Sequence, residues 1–297
     1  MLSVVVGISS ALIFGAADFL GGLGSKRISP LRVTAIAGAV GLVLLLVALP
    51  FIGGSWTAET VLLGALSGVS GTLAISLLYA CLAIGPMSIL SPLTAVVSAI
   101  VPLTVGLAQG ERLGMPGYIA IALALVAVVL VGFVREKHAV RPTLRGLLMA
   151  VGSGTMIGFF LVILDRTSDD SGLVPLIINR AVSSTIMFAA IGVLALAATR
   201  AASSRRLRSS VGSGAPGRGW RVGLRLAVAC GVVDAVANAG LLLGLRLGDL
   251  SVMSVLTALY PAGTIILAAI VLKERIAVVQ YVGLALAVAA GALFAIA

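Results

Sequence analysis

The sequence predicts an all-α membrane protein of ten transmembrane helices arranged as two inverted five-helix repeats. Three observations carry this: an apolar composition, ten apolar stretches of crossing length, and a duplication at constant offset. Hydrophobic residues make up 60% of the 297 and charged residues 10%, against roughly 45–50% and about 25% in soluble domains. So few charges could not cover the surface of a water-soluble fold.

The apolar stretches lie near residues 2–23, 32–53, 60–83, 87–108, 115–134, 146–165, 173–198, 222–245, 249–272 and 277–297. Each is close to the roughly 20 residues needed to cross about 30 Å of hydrocarbon; we number them spans 1 to 10. No basic segment precedes span 1, so it reads as a retained helix and not a cleaved signal. Span 2 begins with Arg32 and span 7 carries Arg180 early; both fit anchoring at the interface, with attraction of an anionic group such as a carboxylate as the alternative. Span 3 holds Ser76 and Tyr79. Pro92 and Pro102 in span 4 and Pro261 in span 9 each remove a backbone hydrogen bond, which marks these spans as candidate bending elements. Glycines four residues apart (Gly64/Gly68, Gly154/Gly158, Gly240/Gly244/Gly248, and Gly283 with Ala287 and Gly291) let helix backbones approach closely. The spacing leaves open whether those contacts lie within one chain or in a homodimer. The longest joint, residues 199–221, is basic and rich in Ser and Gly, a flexible surface loop by composition. Cys81 and Cys230 fall inside spans and imply neither a disulfide framework nor a metal site.

The duplication is read directly. Residues 85–130 recur as 248–293, an offset of 163 that superimposes Ser88 on Ser251, Leu93-Thr94-Ala95 on Leu256-Thr257-Ala258, Glu111-Arg112 on Glu274-Arg275 and Tyr118 on Tyr281. Five crossings per copy make the second copy enter from the opposite side. The chain divides into a first repeat (1–134), a basic connector (135–145) and a second repeat (146–297), with Glu111 and Glu274 facing opposite compartments.

Of the 20 basic residues, 16 lie in joints 1, 5, 7 and 9 or the abutting span ends, and only Arg112, Arg166 and Arg246 in joints 4, 6 and 8. The positive-inside rule makes the odd joints cytoplasmic and leaves both termini outside. The net charge of +10 is therefore topological. Without interleaved aromatic platforms it does not indicate nucleic-acid binding.

The unit ending in Gly110-Glu111-Arg112-Leu113 and Lys273-Glu274-Arg275-Ile276, with Gly283 and an Ala/Gly-rich last span, resembles the EamA domain of the drug/metabolite transporter superfamily. Phe14-Gly15, the early arginines Arg32 and Arg180, and Tyr260-Pro261 fit the same resemblance, which extends over nearly the whole chain. It implies a ten-helix carrier; members carry amino acids, drugs, sugar-linked nucleotides and other metabolites, so it leaves the substrate open. Ten-helix members are usually drawn with both termini in the cytoplasm, the reverse of what the basic residues here indicate.

Polar groups at membrane depth carry the mechanistic expectation, because a charge near the bilayer centre costs about 2.5–3.5 kcal/mol on insertion scales. Asp234 lies mid-span with Asn238 one turn on, the pair expected to offer a titratable acid and a two-way hydrogen bonder to a solute; the alternative is a protonated Asp234 bonded to a neighbouring helix. Asp18 in span 1 is expected to be a gate or second proton site, or else to snorkel to the interface. Ser76, Tyr79, Arg180 and Tyr260 complete the candidate pathway, with spans 1, 3, 4, 6, 8 and 9 expected to enclose it. For both Glu-Arg pairs the expectation is a structural role in closing the turn between consecutive spans.

The lone histidine, His138, sits in a basic loop, and no HExxH, GxSxG or Walker-type segment occurs. An enzyme is not expected, nor any cofactor or metal. The sequence thus reads as a secondary transporter moving a small metabolite, an amino acid or similar solute, across the cytoplasmic membrane by alternating access, with the solute and the lipid bilayer as partners. Efflux of lipophilic drugs and a membrane scaffold or sensor without flux are the rival readings.

Overall fold

A computed structural model describes residues 1–84, 87–132, 142–204, 218–273 and 275–296, without the side chains of 79, 82, 83, 87, 88, 198–204 and 218. Those residues form α1 (Leu2–Ser25), α2 (Pro30–Ile52), α3 (Ala58–Ile84), α4 (Met87–Ala108), α5 (Met115–Gly132), α6 (Leu144–Asp165), α7 (Val174–Ser204), α8 (Arg218–Leu247), α9 (Leu250–Thr257), α10 (Tyr260–Val271) and α11 (Val278–Ile296). No strand occurs among them. Ten helices are long and apolar enough to cross a membrane, α9 and α10 together forming one crossing.

Local chemistry explains the boundaries. Pro30 opens α2, where its missing N–H is no loss. Thr143 caps α6 by accepting the Gly146 N–H at 3.1 Å. The ninth crossing breaks between Thr257 and Tyr260, one residue before Pro261. α4, by contrast, runs unbroken through Pro92 and Pro102. α7 and α8 extend into the segment expected as loop, ending at Ser204 and starting at Arg218. The remainder of that segment, the connector residues through 141, and Glu274 lie outside the described residues.

Hydroxyl side chains inside the helices mostly bond their own preceding turn, as Ser67 does to the Gly64 carbonyl, Thr72 to Gly68 and Ser76 to Thr72, each at 2.8 Å. These residues therefore cross an apolar medium without an unmet donor.

The helix pairings repeat about a two-fold relation: α1 on α8 matches α6 on α3, α4 on α6 matches α10 on α1, and α3 on α7 matches α8 on α2, while α2·α7, α4·α9 and α5·α11 pair equivalent helices. Most of the close packing thus runs between the two halves of the chain. The glycine stripes serve these contacts within one chain. Gly154 and Gly158 lie against Val97 and Val101, Gly64 and Gly68 against Ile178 and Asn179, and Gly240, Gly244 and Gly248 against Ser10, Met253 and Ser3. α1 and α10 also approach backbone to backbone: a Cβ at Gly15 would lie 2.6 Å from the Gly263 Cα, and Thr264 Oγ1 donates to the Gly15 carbonyl at 3.1 Å.

Candidate functional site

A cavity of about 870 Å³ runs into the protein from the end that carries joints 1, 5 and 9, lined at its mouth by Ser25, Pro30, Gly132 and Arg275 and deeper by Asp18, Cys230, Arg180, Asp234 and Tyr260. A smaller chamber of about 170 Å³ lies beyond it, among Phe14, Ile157, Phe160, Asn179, Met187 and Asn238. Arg180 and Asp234 line both, so the pair stands where the larger vestibule meets the smaller chamber, and both are walled mainly by apolar residues.

Arg180 donates through a terminal guanidinium nitrogen to an Asp234 carboxylate oxygen, the two side chains being 16% and 25% exposed. Asn238 adds its amide, donating to the Asp234 carbonyl at 2.8 Å and to the other carboxylate oxygen at 3.3 Å. Of the two readings open for Arg180, the contact made is the one with a carboxylate, within the crossing and not at its end. Asp234 is bonded to a neighbouring helix and is not a free acid, because a guanidinium neutralises it. A paired charge is what an apolar surrounding tolerates. The Arg180 Nε and the Ser184 hydroxyl are buried with no protein hydrogen bond; both adjoin the Gly38–Gly41 stretch of α2.

Asp18 lies seven residues from the end of α1, about 10 Å along the axis, and faces the vestibule, exposed to it. With Arg180 held by Asp234, the deep end of the cavity has two acids for one base. Tyr260 lines the same wall at the first residue of α10, placed there by the break before Pro261. Ser76 is not among the lining residues and bonds its own helix, and the Tyr79 side chain lies outside the described set. Arg32 is exposed at the start of α2, its guanidinium 5.6 Å from the centre of the Trp220 ring, an anchoring contact between α2 and α8.

The sequence names spans 1, 3, 4, 6, 8 and 9 as the enclosing walls, with Arg180 the one pathway residue from span 7 and none from span 2. In the structure α2 contributes Thr34 and Gly38, and α7 contributes Asn179, Arg180 and Ser183. The signal was present in α7: Asn179-Arg180 followed by Ser183-Ser184 marks one face of an otherwise apolar helix. Thr34 and Gly38 gave no comparable signal, because small and hydroxyl residues are common in membrane helices.

The opposite end is closed by interlocking joints. Ser55 N–H donates to the Asp170 carbonyl at 2.9 Å and Leu173 N–H to Gly53 at 3.3 Å. Gly172, at φ +52°, touches the Gly53 backbone so closely that a side chain there would collide with it. Arg246 spans to the Ser171 hydroxyl at 3.0 Å and the Gly172 carbonyl at 2.9 Å. Glu111 corrects a further expectation. Its carboxylate does not close its own turn but reaches the other half of the chain, accepting the N–H groups of Leu250 at 2.9 Å and Ser251 at 3.0 Å. Next to it, burial and the Glu111 charge raise the Asp249 carboxyl above its ordinary 3.8.

Ten crossings around a cavity that opens at one end and holds paired charges at depth define a polytopic membrane transporter. A family model described as the EamA-like transporter family matches residues 144–296, just over half the chain and the whole of its second set of five crossings. This chain belongs to the EamA-like transporter family, within the drug/metabolite transporter superfamily. Among solved structures 29 chains match; one, described as "Crystal structure of protein", has a TM-score of 0.74 at 15% identity and covers 99% of this chain and 96% of its own. That likeness is one of fold. No curated protein matches.

Proposed function

We propose that the protein is a secondary transporter that moves a small polar metabolite across the cytoplasmic membrane by alternating access, with the basic end in the cytoplasm and the cavity in its inward-open form. The observation that carries the reading is the one-ended cavity, shut at the far side by joints 2, 4, 6 and 8 and holding Asp18, Arg180 and Asp234 at its deep end. A channel would need a continuous path, and here the path stops. With no ATP-binding loop in the sequence, the energy comes from a gradient or from exchange.

In this reading the Arg180–Asp234 pair orients the solute's charged or strongly polar group, and Asp18 is the exchangeable charge that couples flux to protons or to a cationic group. The amide of Asn238 keeps Asp234 in the geometry that Arg180 meets. The mainly apolar lining of both compartments favours solutes that carry a small apolar group beside the polar one, and gives the lipophilic-efflux alternative its support. Purified protein in liposomes, screened against zwitterionic, anionic, cationic and lipophilic solutes with and without a proton gradient, tests the proposal. Saturable flux of a polar solute that Asp18→Asn uncouples from the gradient supports it. Flux confined to lipophilic cations supports the efflux alternative, and a screen without flux supports a scaffold or sensor.

A further inference from the structure

We infer that Glu111 is the clasp of the closed end: its two hydrogen bonds to the N-terminus of α9 hold the halves together there, and their release is the step that opens the cavity to that side. This rests on the alternating-access reading. Three features of the structure carry it.

The first is the bond pattern. The Glu111 carboxylate accepts from Leu250 and Ser251 with one oxygen each, at 2.9 and 3.0 Å. A carboxylate on the first turn of a helix meets otherwise unpartnered N–H groups and the positive end of the helix dipole. Asp249, the residue at the cap position, makes no side-chain capping bond, so the capping comes from the opposite half of the chain. Because cap and helix belong to opposite halves, α9 is capped in this way only while the halves are closed at this end.

The second is that the surroundings are shaped for this carboxylate. A Cβ at Gly106 would collide with Glu111 Oε2 and with the Ser251 hydroxyl, so the glycine keeps the space open. The turn that returns Glu111 requires Gly110 at φ +99°, a conformation costly for other residues. Ser251 also donates to the Leu103 carbonyl at 3.2 Å, continuing the tie along α4.

The third is position in the network. Arg246 connects α8 to the Ser168–Gly172 segment, and the backbone of that segment connects to Gly53 and Ser55. Glu111 supplies the remaining link, from the α4–α5 turn to α9. It joins the end of α4 to the start of α9, helices that are equivalent under the two-fold relation and are also tied further along by Ser251 to Leu103 and Ser254 to Ala99, so separating them at this end requires its release.

The test uses the cysteines the chain already has. Cys230 lines the vestibule, whereas Cys81 is fully buried. In vesicles of known orientation, a membrane-impermeant maleimide applied from the closed end labels Cys230 slowly in the wild type. Glu111→Ala is expected to raise that rate on the order of tenfold, as loss of charge-assisted bonds shifts the balance of states. Glu111→Gln, which keeps the volume and one acceptor oxygen, is expected to fall between and guards against a misfolded variant. Labelling from the open end reports whether the variants are folded. Unchanged closed-end labelling in both folded variants overturns the clasp. Labelling of the wild type equally fast from both ends overturns the alternating-access reading itself.

Discussion

Arg180 of α7 and Asp234 of α8 hold each other in an ion pair at membrane depth, and Asn238, one turn further along α8, donates to the same carboxylate. The arrangement puts a fixed dipole between the two compartments of the cavity. Breaking a buried pair by removing one partner typically costs about 3–5 kcal/mol, whereas removing both charges together is close to neutral. Asp234→Asn and Arg180→Gln should therefore each lower the thermal unfolding temperature of the detergent-purified protein markedly. The double variant should recover most of the loss, and all three should lose solute flux. Additive effects on unfolding would show that the pair is not coupled.

Among the described residues Asp18 has no such neutralising partner. Asp18→Asn should keep close to the wild-type unfolding temperature, since it removes an acid that forms no ion pair among those residues, and should abolish uptake driven by an imposed proton gradient while leaving solute exchange measurable. Gradient-driven uptake at the wild-type rate would remove Asp18 from the coupling role.

Close packing of α1 on α10 depends on Gly15 facing Gly263. Introducing side-chain bulk into a packed contact typically costs about 1–3 kcal/mol. Gly15→Val should lower both unfolding temperature and flux, whereas Gly22→Ala, where nothing lies within 4 Å of the added carbon, should not lower the unfolding temperature.

Asp249 sits at the closed end outside the crossings, its carboxyl raised above 3.8 first by burial and then by Glu111. A raised folded-state value means the folded protein holds the proton more tightly than the unfolded chain. Stability accordingly falls as pH rises through the ordinary carboxylate range and stays lower above it. Asp249→Asn should be indistinguishable from wild type below that range and more stable at neutral pH, as read from unfolding temperatures across a pH series. A variant less stable at neutral pH would contradict the assigned cause.

Much of the architecture was legible in the sequence, because crossing a bilayer demands about 20 apolar residues in succession and leaves few alternatives. The fourth stretch was placed at 87–108 and α4 spans Met87–Ala108. Pro261 flagged a break that the ninth crossing does make, while Pro92 and Pro102 leave α4 continuous. A proline frees one carbonyl, but neighbouring helices decide whether the helix parts there. The site was partly legible. Asp234, Asn238, Asp18 and Tyr260 stood out as polar groups at depth, and the structure lines the two compartments with them. That Arg180 faces Asp234 could not be read, since pairing α7 with α8 through α2 is a tertiary fact that residue spacing along one helix does not carry. The reach of Glu111 across to α9 was hidden for the same reason: its partners are backbone N–H groups 139 and 140 residues away.

The most direct test of the transport account is the sidedness of Cys230 in oriented membranes with and without a transported solute. The account predicts that an impermeant thiol reagent reaches Cys230 from the cytoplasmic face, that it does so from the outer face only on the minor fraction of molecules that has switched, and that saturating solute slows cytoplasmic labelling. Labelling from the outer face alone, or equally from both faces and unaffected by any solute that the protein moves, would contradict it.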